Sequence, residues 1–442
     1  MKTTQPTAFL LAMLLALPLA AQTPNATTSQ PNAAPVGPPM TLAQAEQMAL
    51  QNNPRIAVAR LLALAEGQVT REVRSAELPT LTGNFTAVDS HQGSRITAGA
   101  LNNPVVYQRA AGGVTLSQLI TDFGRVRNLV SSASLRAQAE ASAQAATTAD
   151  VTIAVDQAFY RALGSEAVLR VAQETVSARQ TTSDQVNALT GAKLRSTLDL
   201  SFANVNLAQA KLLLLDAQNE NQNAMAALNA LLGQEGPAAF TLVDENPSAA
   251  APAPDDPEPL VNLAFQARPD LLSLNQQFAA AKKFSAAEHD LFRPTISALG
   301  TAGGTPVRAD EITSSWFGAV GVNMSIPIFN GFLYSARAKE ADLRASAADQ
   351  QVRQLREIIA RDVRTIVLQA QSNFQRIAVT QQLLDQANEA LDLAQVRYQI
   401  GLSSIVELSQ AQLAQTGALI DYANARYAYQ GSLAAIRYQT AQ

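Results

Sequence analysis

The chain contains no cysteine. Disulfides, thiolate metal sites and lipid attachment through an N-terminal cysteine are therefore excluded. Charge is scarce as well: Asp, Glu, Lys and Arg make up 15% of the 442 residues, and the net charge is −4. No basic field exists to attract nucleic acid or an anionic membrane surface. The two histidines, His91 and His289, are too few and too scattered for a catalytic or metal cluster. Asp122-Phe123-Gly124 spells a kinase tripeptide, but no phosphate-binding glycine loop or catalytic-loop motif accompanies it, so it reads as punctuation between a strand and a helix. No enzyme signature or cofactor motif is found, and energy for any transport must come from a partner. Past the N-terminus no run reaches 18 consecutive apolar residues, which removes transmembrane helices and leaves strands as the route into a bilayer.

The most informative absence is local. From Ser335 to Gln399 there is neither proline nor glycine, so nothing breaks a helix. Val352, Leu355, Ile359, Val363, Ile366, Ala370, Phe374, Ile377, Leu384, Ala387, Leu391, Ala394 and Tyr398 recur three or four apart, the period of a helical seam. At 1.5 Å per residue this predicts a rod of roughly 100 Å. Gly401 ends it, and a last helix begins near Ser404. Arg125 to Leu189 predicts a second rod of about the same length, relieved only by Gly164 and followed by a helix over 197–232.

Residues 1–21 read as a secretory signal, with Lys2, an apolar run from Phe9 to Leu19, and cleavage after Ala20 or Ala21. Residues 22–40 read as a flexible tether. Thr41 and Gln44 form a capping box for a helix that pauses at Asn53-Pro54 and stops before Pro79. Alternation of apolar and small polar residues then predicts a β-hairpin over about 81–120. Residues 236–259 carry six prolines and an acidic cluster, and read as a linker. Beyond it the pattern restarts, with helices pausing at Arg268-Pro269, a stop at Pro294 and a hairpin over about 295–326. The chain thus reads as a tandem duplication, 41–235 and 260–442. Turn glycines Gly191 and Gly401 correspond when the first turn is given two extra residues, and TLDLS at Thr197 answers IVELS at Ile405.

The predicted strands have two faces: Trp316, Gly318, Val320, Val322, Met324 and Ile326 on one, Phe317, Ala319, Gly321, Asn323 and Ser325 on the other. Four strands with an apolar outer face leave two raw edges and cannot sit alone in lipid. A membrane barrel needs at least about 8 strands, so other copies must complete the sheet; two copies supply 8 and three supply 12. A small soluble sandwich is the competing use of such strands, and a soluble periplasmic coiled-coil scaffold or adaptor is the competing whole-chain reading. The second leaves the hairpins and Trp316 without a purpose.

TLAQAEQMALQNNPRI at Thr41, LVNLAFQARPDLLSL at Leu260, Pro79, Pro294 and RYQIGLSSIVELSQAQL at Arg397 together resemble the TolC-like outer-membrane factors of bacterial tripartite efflux and type I secretion systems. The resemblance runs from Thr41 to Tyr438. It implies a mixed α+β membrane protein in which a homotrimer forms a 12-stranded β-barrel in outer-membrane lipid, continuous with a periplasmic α-helical barrel. It also implies a periplasmic adaptor and an inner-membrane transporter as partners, and a passive, gated exit duct for small molecules or proteins. In that family the periplasmic end is a constriction with acidic rings. Carried over, Asp199 and Glu407 match ring acids and Tyr398 the gate tyrosine; Gln410 stands where a second acid is expected and Ser403 where the gate arginine is expected. Lys193 or Arg195 is left as its substitute. Asp199 and Glu407 also fit as ordinary first-turn acids favoured by the helix dipole. The turns Gly191-Ala192-Lys193 and Gly401-Leu402-Ser403 are the expected adaptor-docking tips.

Overall fold

The computed structural model describes residues 37–91, 108–244, 252, 254–308 and 313–441. The expected signal segment and most of the tether lie outside the described residues. A short strand β1 (Pro39–Met40) leads into α1 (Leu42–Asn52) and α2 (Pro54–Arg74), then β2 (Thr80–Val88), β3 (Arg109–Thr121), α3 (Arg125–Gly191) and α4 (Thr197–Leu231). After β4 (Thr241–Leu242) the order resumes with α5 (Glu258–Ala267), α6 (Pro269–His289), β5 (Thr295–Val307), β6 (Trp316–Ser325), α7 (Leu333–Gln399) and α8 (Ile405–Thr440). Both long helices, α3 and α7, have 67 residues, about 100 Å each.

Local signals act where the sequence places them. Thr41 and Gln44 make both bonds of the capping box, and Asn53 caps α2 ahead of Pro54. The seam of α7 turns inward at Val352, Ile359, Val363, Ala370, Leu384, Ala387, Ala394 and Tyr398. α3 packs on α4 and α8, and α8 on α7, so the four long helices lie in the order α4–α3–α8–α7. α2 runs along α3, and α6 lies between α3 and α7 toward the sheet. There Ser132 and Ser142 of α3 bond Ala280 and Gln276, and Asp342 of α7 meets Ser285 and His289. α1 and α5 pack near the middle of the long helices. One core there joins Val151, Val155 and Phe159 of α3 to Ala45, Leu228 and Leu232; another joins Val261 and Leu271 to Val352, Ile359 and Val363.

Two expected linkers are corrected in part. The end of the N-terminal tether and the start of the proline-rich linker meet as the parallel pair β1–β4, Pro39 opposite Thr241 and Met40 opposite Leu242. Met40 and Phe240 are buried in the α1–α3–α4 core. An apolar side chain in an otherwise polar segment gains enough by burial to order its neighbours.

The other sheet is fully antiparallel, in the order β2–β3–β5–β6. The β3–β5 pairing joins the two hairpins, and it carries β5 on to Val307, past Thr301, the end of the stretch that the sequence pattern marks as alternating from Thr295. Register puts Leu81, Phe85, Val114, Leu116, Trp316, Val320, Val322 and Met324 on one face, with Thr80, Thr82, Thr115, Ser117, Thr301 and Asn323 on the other. The apolar face is bare: Val320 is 93% exposed. Among the described residues no strand pairs with the outer edge of β2 or of β6.

The turns between long helices are also corrected. α3 runs through Gly191, so both turns have five residues, 192–196 and 400–404. Lys193 (φ 60°), not Gly191, holds the left-handed position taken by Gly401 (φ 81°). The two extra residues vanish because a left-handed conformation, rather than the presence of glycine, defines the end of such a helix.

Candidate functional site at the helical tips

α3 ends and α4 starts beside the end of α7 and the start of α8. Serines cap both outgoing helices: Ser196 Oγ accepts from the N–H of Leu198 and Asp199, and Ser404 Oγ from that of Glu407. This places Asp199 and Glu407 in corresponding first turns, where the helix dipole favours a carboxylate.

Tyr398 is the centre of the cluster. It is 6% exposed and packs with Val186, Ala203, Ala394, Ile405 and Leu408. Burial and the nearby Asp199 raise its pKa while Arg195 lowers it, burial being the largest cause; the phenol is neutral at physiological pH. Arg195 stacks 4.3 Å from the ring centroid and donates from Nη2 to the Tyr398 carbonyl at 2.5 Å. Arg195 corresponds in position to Ser403. Of the two cations considered for the missing arginine, it is Arg195 that engages the tyrosine. The Tyr398 hydroxyl and Ser403 Oγ are buried without a hydrogen-bond partner.

Glu407 does not stand alone. Arg397 Nε lies 3.1 Å from its Oε1, an exposed pair worth on the order of 0.2–1 kcal/mol. The pairing had a readable signal, since the two residues are equidistant from Leu402 at the centre of the turn. Gln410, one turn further along α8, lines a groove with Phe202 and Leu413. Gly191, Ala192, Lys193, Gly401 and Leu402 are exposed at the tips. Leu194 and Leu402, in corresponding positions, are 71% and 70% exposed; Leu194 falls outside the expected docking turn because that turn was aligned on glycine.

Two exposed leucines at a pair of helix turns, a buried tyrosine under a stacked arginine and a bare-faced sheet belong to one elongated chain. A model of the family described as "Outer membrane efflux protein" matches residues 45–234 and 260–441. The chain belongs to the outer membrane efflux protein family. It is 24% identical to the outer membrane protein OprJ of Pseudomonas aeruginosa over 375 residues, 83% of this chain and 76% of OprJ. It is also 24% identical to the outer membrane protein TolC of Escherichia coli over 413 residues, 88% of this chain and 79% of TolC. Among solved structures, the outer-membrane channel OprN superposes with a TM-score of 0.80 at 20% identity, covering 90% of this chain and 89% of OprN. CusC gives 0.78 at 22% identity, covering 90% and 91%. As a member of the efflux family the protein is placed in the outer membrane, and its fold is that of the TolC-type channels. No helix among the described residues is long and apolar enough to cross a membrane.

Proposed function

We propose that three copies, each a tandem duplication, close their sheets into a 12-stranded barrel and their long helices into a periplasmic tunnel. The assembly is a passive, gated exit duct. Small molecules or proteins are handed to it by an inner-membrane transporter through a periplasmic adaptor. The observation that carries this reading is the four-stranded sheet, apolar on one face and unpaired at both edges, which lipid tolerates only when closed. The outermost long helices support it: α4 exposes Leu212 and Leu215, and α7 exposes Leu368, Val379 and Leu393, apolar side chains suited to a neighbouring copy. The gate is the Tyr398 cluster with Arg195 across it, lined by Asp199, Glu407 and Gln410. The adaptor docks on the turns centred at Leu194 and Leu402, including Lys193, Gly401 and Ser403.

The natural absence of cysteine makes the test direct. Single cysteines are placed along β2 (Thr80, Thr82, Asn84) and β6 (Phe317, Ala319, Gly321) in pairs, one per edge, and oxidised in isolated outer membranes. The expected result is a denaturing-gel ladder that ends at three chains. A ladder ending at two, or pairs that never cross-link, overturns the assembly.

A further inference from the structure

Among the described residues, Arg179 on α3 is a cation without a counter-ion. It is 8% exposed. Its Nη2 donates to the Gln412 carbonyl at 2.8 Å and to Thr416 Oγ1 at 3.3 Å, both on α8. Both acceptors are neutral, and among the described residues no carboxylate forms an ion pair with it. Burial alone lowers its pKa to about 10, so it stays protonated at neutral pH. Burying a charge without its opposite is costly. Gln412 and Thr416 engage Nη2 only, whereas a guanidinium also carries N–H groups on Nη1 and Nε.

The residue lines a half-open groove of about 500 Å³, floored by α3 and walled by α4 and α8. The walls are apolar: Phe202, Val205 and Leu213 from α4, Val406 and Leu413 from α8. Leu413 and Val205 are well exposed in the chain as it stands. A bond of 2.6 Å from Asn206 Nδ2 to Ser409 Oγ ties the two walls together. An apolar cleft of a few hundred Å³ with one charged group is the form of a small-molecule site.

We propose that this groove binds a small amphipathic carboxylate, with its apolar body along Phe202, Val205 and Leu413 and its carboxylate on the Arg179 guanidinium. A carboxylate matches the guanidinium fork and supplies the missing negative charge in a partly dry setting, where such a pair is strongest. Every wall comes from one copy.

Equilibrium dialysis of radiolabelled decanoate against the full chain in lipid nanodiscs tests it, since detergent would compete for the groove. Decanol and decyltrimethylammonium serve as neutral and cationic probes, and empty nanodiscs report partition into lipid. Saturable binding of one decanoate per chain is expected, weakened at least about tenfold by Arg179→Gln and less by Arg179→Lys. Binding of decanol should not respond to either substitution. Because Arg179 also ties α3 to α8, Val205→Glu provides a second arm: it keeps the guanidinium, brings a carboxylate of its own, and should abolish decanoate binding. Equal binding of decanoate and decanol overturns the proposal, as does decanoate binding unchanged by Val205→Glu, or uptake no greater than that of empty nanodiscs. Failure of decanoate to bind while Val205→Cys cross-links to a partner's helix overturns it too, in favour of a protein occupant.

Discussion

At the scale of single residues, the tip cluster shows how a narrow helical seam becomes a site. Tyr398 is legible as the last member of the α7 seam, but its contacts are not. Arg195 is distant in sequence and reaches it only because two helical hairpins pack side by side. A second buried polar group lies at mid-height. Asp156 on α3 is nearly enclosed, facing Glu46 of α1 and Arg437 of α8, whose Nη2 is 3.7 Å away. Tyr160, on its own helix, lies beside the same pair. Burial, then Glu46, pushes the Asp156 carboxyl up to about 7, against the opposing pull of Arg437. Its folded pKa exceeds the unfolded value of 3.8, so the folded state holds the extra proton between those values. Stability therefore falls as pH rises from about 4 to about 7. Asp156→Asn should raise the thermal midpoint by at least about 2 °C at pH 8 and change it little at pH 4. Parallel melts at the two pH values, followed by circular dichroism, check this.

At the scale of elements, strand alternation and helix period were readable because each is a local pattern with a fixed repeat. The extent of β5 was not, since its outer residues are held by β3 rather than by their own alternation. Gly303 shows why. A Cβ there would lie 2.5 Å from the Gly112 carbonyl oxygen and 2.7 Å from the Gly113 Cα. The backbones of β3 and β5 approach so closely that only glycine fits, and Phe317 covers the gap. Gly303→Ala should disrupt the seam between the two hairpins. The expected outcome is a several-fold loss of protein in the outer-membrane fraction, read by quantitative blotting, whereas Gly321→Ala, with nothing within 4 Å of its Cβ position, should insert normally. The helix turns teach a similar lesson. Glycine is the usual marker of a left-handed helix end, but here Lys193 takes that conformation in one turn and Gly401 in the other. An alignment built on glycine therefore misses by two residues and hides Leu194.

At the scale of the whole molecule, charge at the tips acts in concert only if copies surround a common axis. Asp199 and Glu407 would then recur around the constriction and favour cations, with Arg397 offsetting part of the Glu407 charge. Asp199→Asn combined with Glu407→Gln should shift the reversal potential toward anion permeation in planar bilayers under a salt gradient. An unchanged reversal potential would remove both acids from the pore wall. The effect should shrink at high ionic strength, since exposed charges are screened within about 8 Å at physiological salt.

What the residues determined unaided was the set of parts: two long rods, two alternating hairpins, the capped short helices and the sites of their stops. These follow from local sterics and from periodicity, which any stretch of chain carries within itself. Tertiary structure alone decided which parts meet. It set Arg195 on Tyr398, buried Arg179 opposite neutral acceptors, matched β3 to β5 through facing glycines, and drew Met40 and Phe240 out of the linkers. Such choices depend on close approach between segments far apart in the chain, where a few tenths of an ångström and one uncompensated charge outweigh any local preference.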